Sequence, residues 1–186
     1  RDVIYTFRKN GKNKARGIKI NVGVSTFVPK AQTPFQWVGQ ATREEVRRKQ
    51  EILKEQLKIK NVSFNLHKSD SSFLEAVFAR GDRRLSAVIY EAWKNGCNLD
   101  AWDENFKFDV WMQAFEHCGL DPEFYAYRSQ PADEIFPWDH IFSGVDKSYL
   151  RGEYEEALKG IATPDCAHGC RNCGALKLSG GKRCDV

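Results

Sequence analysis

Three cysteines stand at positions 166, 170 and 173 in the run TPDCAHGCRNC, and a fourth, Cys184, follows the stretch LSGGKR. Thiolates are preferred ligands of both iron-sulfur clusters and tetrahedral zinc, and close spacing wraps one metal because the turn brings successive sulfurs to the same side. Cys166, Cys170 and Cys173 therefore read as metal ligands, with Cys184 as the fourth and His168 as its substitute. The plainer alternative is an unstructured tail carrying reactive thiols. Four of the six cysteines crowd this end, while Cys97 and Cys118 sit among apolar neighbours. In a chain without an export signal, such crowding indicates metal ligation before disulfide bonding.

Other residues could meet a substrate. ARGDRRL places Arg80, Asp82, Arg83 and Arg84 between two helices, where guanidinium groups could grip a phosphate or carboxylate in bidentate fashion. A helix boundary held by Arg–Asp pairs explains the same run. His67 ends a strand, and Asp139 with His140 lies in PWDHI; these could line the same cavity, or be ordinary surface and core residues.

The elements that must position these groups follow from periodicity. IKINVGVSTFVPK alternates, with Ile18, Ile20, Val22 and Val24 on one face, and predicts a strand that stops at Pro29, whose missing amide hydrogen ends a ladder. KAQTPFQWVGQ is a loop. Thr42 and Glu45 form a capping box for a long polar helix with Val46, Leu53 and Leu57 near one side. NVSFNLHK predicts a second strand, and the long connection implies parallel pairing with a right-handed crossover. Ser72 with Glu75 suggests another capping box, ahead of a stripe of Leu74, Val77 and Phe78. Helical stripes follow at Leu85, Val88, Ile89, Ala92 and Trp93 before Gly96, and at Val110, Trp111, Ala114, Phe115 and Cys118 before Gly119. A last short helix runs from about Lys147 to Lys159, ahead of the cysteines.

The 186 residues, 41% hydrophobic, suit one domain with a real core. A net charge of +4 is too mild to argue for nucleic acid. No run approaches the roughly 18 apolar residues of a membrane helix, and RDVIYTFRKNGKNK lacks a signal peptide's apolar centre, so no membrane association and a cytoplasmic location are expected. Val3, Ile4 and Phe7 start the chain inside an amphipathic segment, and two strands cannot close a barrel or cover their own edges. Both observations suggest the C-terminal part of a larger α/β domain.

Taken in order, GVSTFVPKAQTPFQW, SSFLEAVFARGDRRLSAVIYEAWKNGC, PWDHIFSGV and DCAHGCRNCG resemble the C-terminal half of a radical SAM protein, of the group that carries a cobalamin-binding-type domain upstream. Such proteins are often fused to, or encoded beside, a small partner domain. The resemblance runs from about Gly17 to Cys173 and rests on long motifs. It implies an α/β fold with the C-terminal part of a partial (β/α) barrel in residues 1–80, a helical extension in 81–160 and a cysteine-rich metal-binding tail in 161–186. Lys19 to Val28 would then be a late barrel strand, with S-adenosylmethionine at its carboxyl end beside Ser25, Thr26, Phe27 and Val28, and with Thr33 and Pro34 shaping the loop. Ligands of parallel α/β folds do sit where strands end, because backbone groups there are free of the ladder. Without the resemblance, TPF is only a rigid turn with a buried Phe.

The resemblance implies reductive cleavage of S-adenosylmethionine to a 5′-deoxyadenosyl radical, with cobalamin as a further cofactor for methyl transfer and an unassigned substrate. The ligands of the main [4Fe-4S] cluster would lie in the missing N-terminal region, so this part alone should be inactive. The tail is then a second site, an auxiliary iron-sulfur cluster or a structural zinc. The chain departs from the pattern at Lys30, Ala31 and Gln32, where the family usually has a Pro and a His. It departs again at Ala175 and Leu176, where another cysteine usually follows the CG. The rival expectation is a non-catalytic module: a zinc knuckle whose basic helix, Arg43 to Lys60, contacts RNA, or a scaffold for a partner domain.

Overall fold

Alternating apolar and polar residues produce the first strand, β1, at Ile20–Val24, with Ile20, Val22 and Val24 turned to the more covered face and Asn21 and Gly23 exposed. The molecule is seen here as a computed structural model, which describes residues 19–178 and residue 180. Ile18, the amphipathic start at Val3, Ile4 and Phe7, and Cys184 lie outside the described residues. β1 pairs in parallel with β2, Val62–Leu66, in the register Ile20 to Val62 through Val24 to Leu66. Among the described residues the architecture is α/β but mostly helical. Six α-helices accompany this two-stranded sheet, which is not closed into a barrel. No helix among them is long and apolar enough to cross a membrane.

β1 ends at Val24, five residues short of Pro29, because its partner ends too. The last ladder bond runs from the His67 amide to Val24 O at 3.1 Å. The helix α1, Arg43–Gln56, carries the expected capping box: Glu45 N donates to Thr42 Oγ1, and Thr42 N donates to Glu45 Oε2, both at 3.2 Å. The helix α2, Ser69–Arg80, starts three residues before the expected cap at Ser72. Ser72 lies inside its first turn, with its hydroxyl bonded to Lys68 O and His67 rather than capping toward Glu75.

The remaining helices are α3 (Leu85–Lys94), α4 (Phe108–His117), α5 (Pro122–Ala126) and α6 (Lys147–Leu158). Gly96 and Gly119 follow α3 and α4 with φ of +87° and +64°, the left-handed stops their positions predicted. The stripe expected on α3 splits. Leu85, Val88 and Ala92 are buried, whereas Ile89 and Trp93, one ridge around the helix, are 48% and 58% exposed. A helix packed on one side covers one ridge and leaves the next in water.

The chain forms two compact units. One gathers residues 19–27 with Ala41–Phe73, and so holds the β1–α1–β2 segment. Within it, Arg43 and Arg47 of α1 pair with Asp70 at 3.1 and 3.2 Å, and Gln50 Nε2 donates to His67 O at 2.7 Å. The other gathers Val28–Gln40 with the residues from Leu74 onward. Its core includes Trp37, Phe136 and Leu150, against which Trp138, Val145 and Tyr154 pack. The motif residues Phe35, Gln36 and Trp37 meet PWDHI and α6 here. Trp37 stands 5.8 Å from Phe136, Phe35 meets Tyr154 edge to face at 5.6 Å, and Trp138 Nε1 donates to Gln36 Oε1 at 2.9 Å.

Gly39 lets the backbone at Ala126 and Tyr127 come close to the same loop. A Cβ there would stand 2.0 Å from Tyr127 O, while the neighbouring Gln40 amide donates to Ala126 O at 2.8 Å. Gly39→Val should therefore cost about 3 kcal/mol, at the upper end of overpacking effects. Gly152→Ala, whose Cβ meets nothing within 4 Å on α6, should instead raise stability by about 0.5 to 1 kcal/mol through helix propensity. Urea denaturation of the two variants beside the unaltered chain checks both signs.

Candidate functional site

The cysteine tail is built from short turns. Asp165 caps a single 3-10 turn, Cys166–His168, by accepting from Ala167 N at 2.9 Å, and its Oδ1 also holds His168 Nδ1 at 2.9 Å. Arg171 Nε donates to Pro164 O at 3.2 Å, which closes the loop on itself. In CRNCG, Asn172 takes a left-handed φ of +55°, and its amide donates to Cys170 Sγ at 3.4 Å. The Cys170 thiol in turn lies 3.8 Å from Asn172 Oδ1, so the two residues bond each other across the turn.

This knuckle is seated on the start of α6. The Asp146 amide donates to Cys173 O at 2.8 Å, and Lys177 Nζ pairs with Asp146 Oδ1 at 2.5 Å. Gly174, at φ +98°, lies so close that a Cβ would stand 2.7 Å from the Asp146 carboxyl carbon. Burial pushes the Tyr149 hydroxyl up, Glu153 adds to the effect, and the thiols of Cys173 and Cys166 push the same way. Two of the cysteines thus share the surroundings of one phenol. Cys166 and Cys170 are exposed and Cys173 is half-buried. Among the described residues no group of three or more His, Cys, Asp and Glu is drawn together closely enough to hold a metal ion.

Cys97 is of a different kind. It is buried, and that burial, with Asp100 nearby, pushes its thiol up. A protonated buried thiol is a packing group rather than a ligand.

Residues 25–29 leave the carboxyl end of β1 without regular structure. Ser25 and Phe27 are exposed, Phe27 at 58%, and Thr26 is half-buried. Val28, Thr33 and Pro34 fall in the second unit, each half-buried; Thr33 Oγ1 donates to Lys30 O at 2.8 Å, so it closes a turn. Phe35 of the TPF turn is 37% exposed, not the buried ring that a purely structural turn led us to expect.

The substrate-side candidates scatter. Arg80 is buried, with its guanidinium spent on three carbonyls: Tyr125 O at 2.7 Å, Ala126 O at 2.8 Å and Arg128 O at 2.5 Å. Asp82 grips Arg84 through both carboxylate oxygens, and that bond, first among the causes, holds its carboxyl below the usual range. The Arg–Asp boundary is thus realised. Arg83 is exposed. Asp139 Oδ2 accepts from Phe136 N at 2.8 Å and pairs with Lys147, and so anchors PWDHI to α6; His140 is exposed. His67 lies in the first unit, its ring bonded to Ser72.

Sequence reasoning missed Asn172, Gln36, Asp146 and Ser72 as positioning groups. Only Asn172 had a visible signal, since a residue before the second cysteine of C-x2-C-G that tolerates positive φ marks a knuckle. No protein-family description, curated protein or solved structure matches the chain.

Proposed function

We propose that the chain is the C-terminal portion of a cytoplasmic radical SAM enzyme, in which it supplies late elements of a partial barrel and an accessory metal centre. The observation that carries this reading is the parallel β1–α1–β2 unit, whose first strand runs directly into STFVPKAQTPFQW. Residues 25–27 fit the edge of an adenosine site: their backbone is outside the ladder, and Phe27 offers an exposed ring. A reduced [4Fe-4S] cluster and S-adenosylmethionine, if bound, would supply one-electron reductive cleavage of the sulfonium for hydrogen abstraction from a substrate. Ser25, Thr26 and Phe27 would flank the nucleoside, and the cluster ligands would precede this chain.

The CRNCG knuckle fits a thiolate-bound metal through its donor set and its amide-to-sulfur bond, with Cys166 and Cys184 completing the ligands. Such a centre would tie the tail to the start of α6 through the Asp146 contacts. Cobalamin enters only through the resemblance, and no residue here is assigned to it.

The rival reading, a zinc knuckle beside an RNA-binding helix or a scaffold, gains from the same knuckle. It loses from α1, where Arg43 and Arg47 are already paired with Asp70. Metal analysis of anaerobically purified protein separates the two. Iron with acid-labile sulfide and a broad visible absorbance supports the proposal. Stoichiometric zinc in a colourless protein, together with RNA binding, supports the rival. The coding sequence upstream should also contain a second C-x3-C-x2-C just after a predicted strand.

A further inference from the structure

His67 is an exposed histidine that is nevertheless fixed at three points. Its amide donates to Val24 O at 3.1 Å, its carbonyl accepts from Gln50 Nε2 at 2.7 Å, and its Nδ1 lies 2.7 Å from Ser72 Oγ. An exposed side chain ordinarily keeps its rotamer freedom, since ordering it costs entropy that surface contacts seldom return. The position is equally specific. The Val24 to Leu66 pair ends the ladder, so His67 stands one residue beyond it, at the carboxyl edge beside the start of Ser25–Phe27.

The Ser72 hydroxyl decides the tautomer. Ser72 is buried at 1% exposure and has one hydroxyl hydrogen, and it also lies 3.0 Å from Lys68 O. A carbonyl can only accept, so both contacts are satisfied together only if Ser72 donates to Lys68 O and accepts from His67 Nδ1–H. A neutral imidazole with its proton on Nδ1 has a bare lone pair on Nε2, and the bond made by one ring nitrogen commonly sets the role of the other. Among the described residues Nε2 has no hydrogen-bond partner.

We propose that Ser72 is a positioning residue that presets His67 as an acceptor, with Nε2 offered at the strand edge to a ligand group that donates a hydrogen bond. In that tautomer Nε2 can only accept, so the group it meets is a hydrogen-bond donor such as a hydroxyl or an amine. This deepens the enzymatic reading by naming a feature of the substrate, and it rests on that reading only for the ligand's identity. The tautomer is a property of this chain, whatever the chemistry turns out to be.

Long-range proton–nitrogen correlation spectra of the isotope-labelled 186-residue chain read the tautomer directly. The expected result is a protonated Nδ1 and a bare Nε2 for His67. Ser72→Ala should lose that preference and Ser72→Thr, which keeps the hydroxyl, should retain it. A proton found on Nε2 in the unaltered chain overturns the proposal, as does an unchanged tautomer in a folded Ser72→Ala variant. Should Ser72→Ala fail to fold, the unaltered chain and Ser72→Thr still decide.

Discussion

Arg80→Ala should cost about 2 to 4 kcal/mol of folding stability, because three buried or half-buried carbonyls at and beyond the end of α5 lose a charged donor. Ala126 O keeps the Gln40 amide, so the loss falls on Tyr125 O and Arg128 O, at about 1 to 3 kcal/mol for each acceptor left unpaired, and part of it is offset because the guanidinium no longer needs burying. Burial, with the Arg128 cation beside it, lowers Arg80 to about 10, and Glu134 pulls the other way. A cation whose folded pKa is lowered binds its proton less tightly when folded, so the cost of its charge is present at every pH below about 10 and eases only above. Stability through the neutral range should then show no pH slope from Arg80. Denaturant midpoints of the variant and the unaltered chain measure the loss. A change below about 1 kcal/mol would mean that this arginine is not the tie between α2 and the 125–128 turn.

The second large effect concerns the tail. On the proposed reading of the tail as a metal centre, replacing Cys170 and Cys173 together by serine should abolish stoichiometric metal binding, since a hydroxyl is neither deprotonated at neutral pH nor soft enough to stand in for a thiolate. Structural zinc in small thiolate sites is bound with about 10 to 16 kcal/mol, so losing two ligands leaves no measurable occupancy. Cys97→Ser should leave the metal content unchanged, because that thiol is buried elsewhere. Metal-to-protein ratios by elemental analysis decide, and a double variant that keeps its metal would place the centre on other residues.

Where local chemistry settled the structure, the sequence could be read. The alternation at Ile20, Val22 and Val24, the Thr42–Glu45 box and the glycine stops after α3 and α4 depend on neighbours a few residues away. What was not legible depends on distant partners. Ser72 is a nearer case: it looks like a cap until the helix is seen to start at Ser69, which puts its hydroxyl inside the first turn on Lys68 O and His67. Arg80 looked like an anion grip, yet its acceptors lie 45 to 48 residues further on. The seating of Gln36 and Trp37 against Phe136 and Trp138 joins motifs about a hundred positions apart, and no periodicity announces such a pairing. In the candidate site, the C-x2-C-G spacing was visible, but its attachment to Asp146 was not.

The central claim is that this chain completes an enzyme that breaks the carbon–sulfur bond of S-adenosylmethionine. The most direct measurement takes the full polypeptide encoded around it, purified without oxygen, reduced with dithionite and supplied with S-adenosylmethionine, and follows the products by chromatography with mass detection. The account predicts reductant-dependent release of 5′-deoxyadenosine and methionine in equal amounts. Unchanged S-adenosylmethionine from a protein that holds only zinc would contradict it.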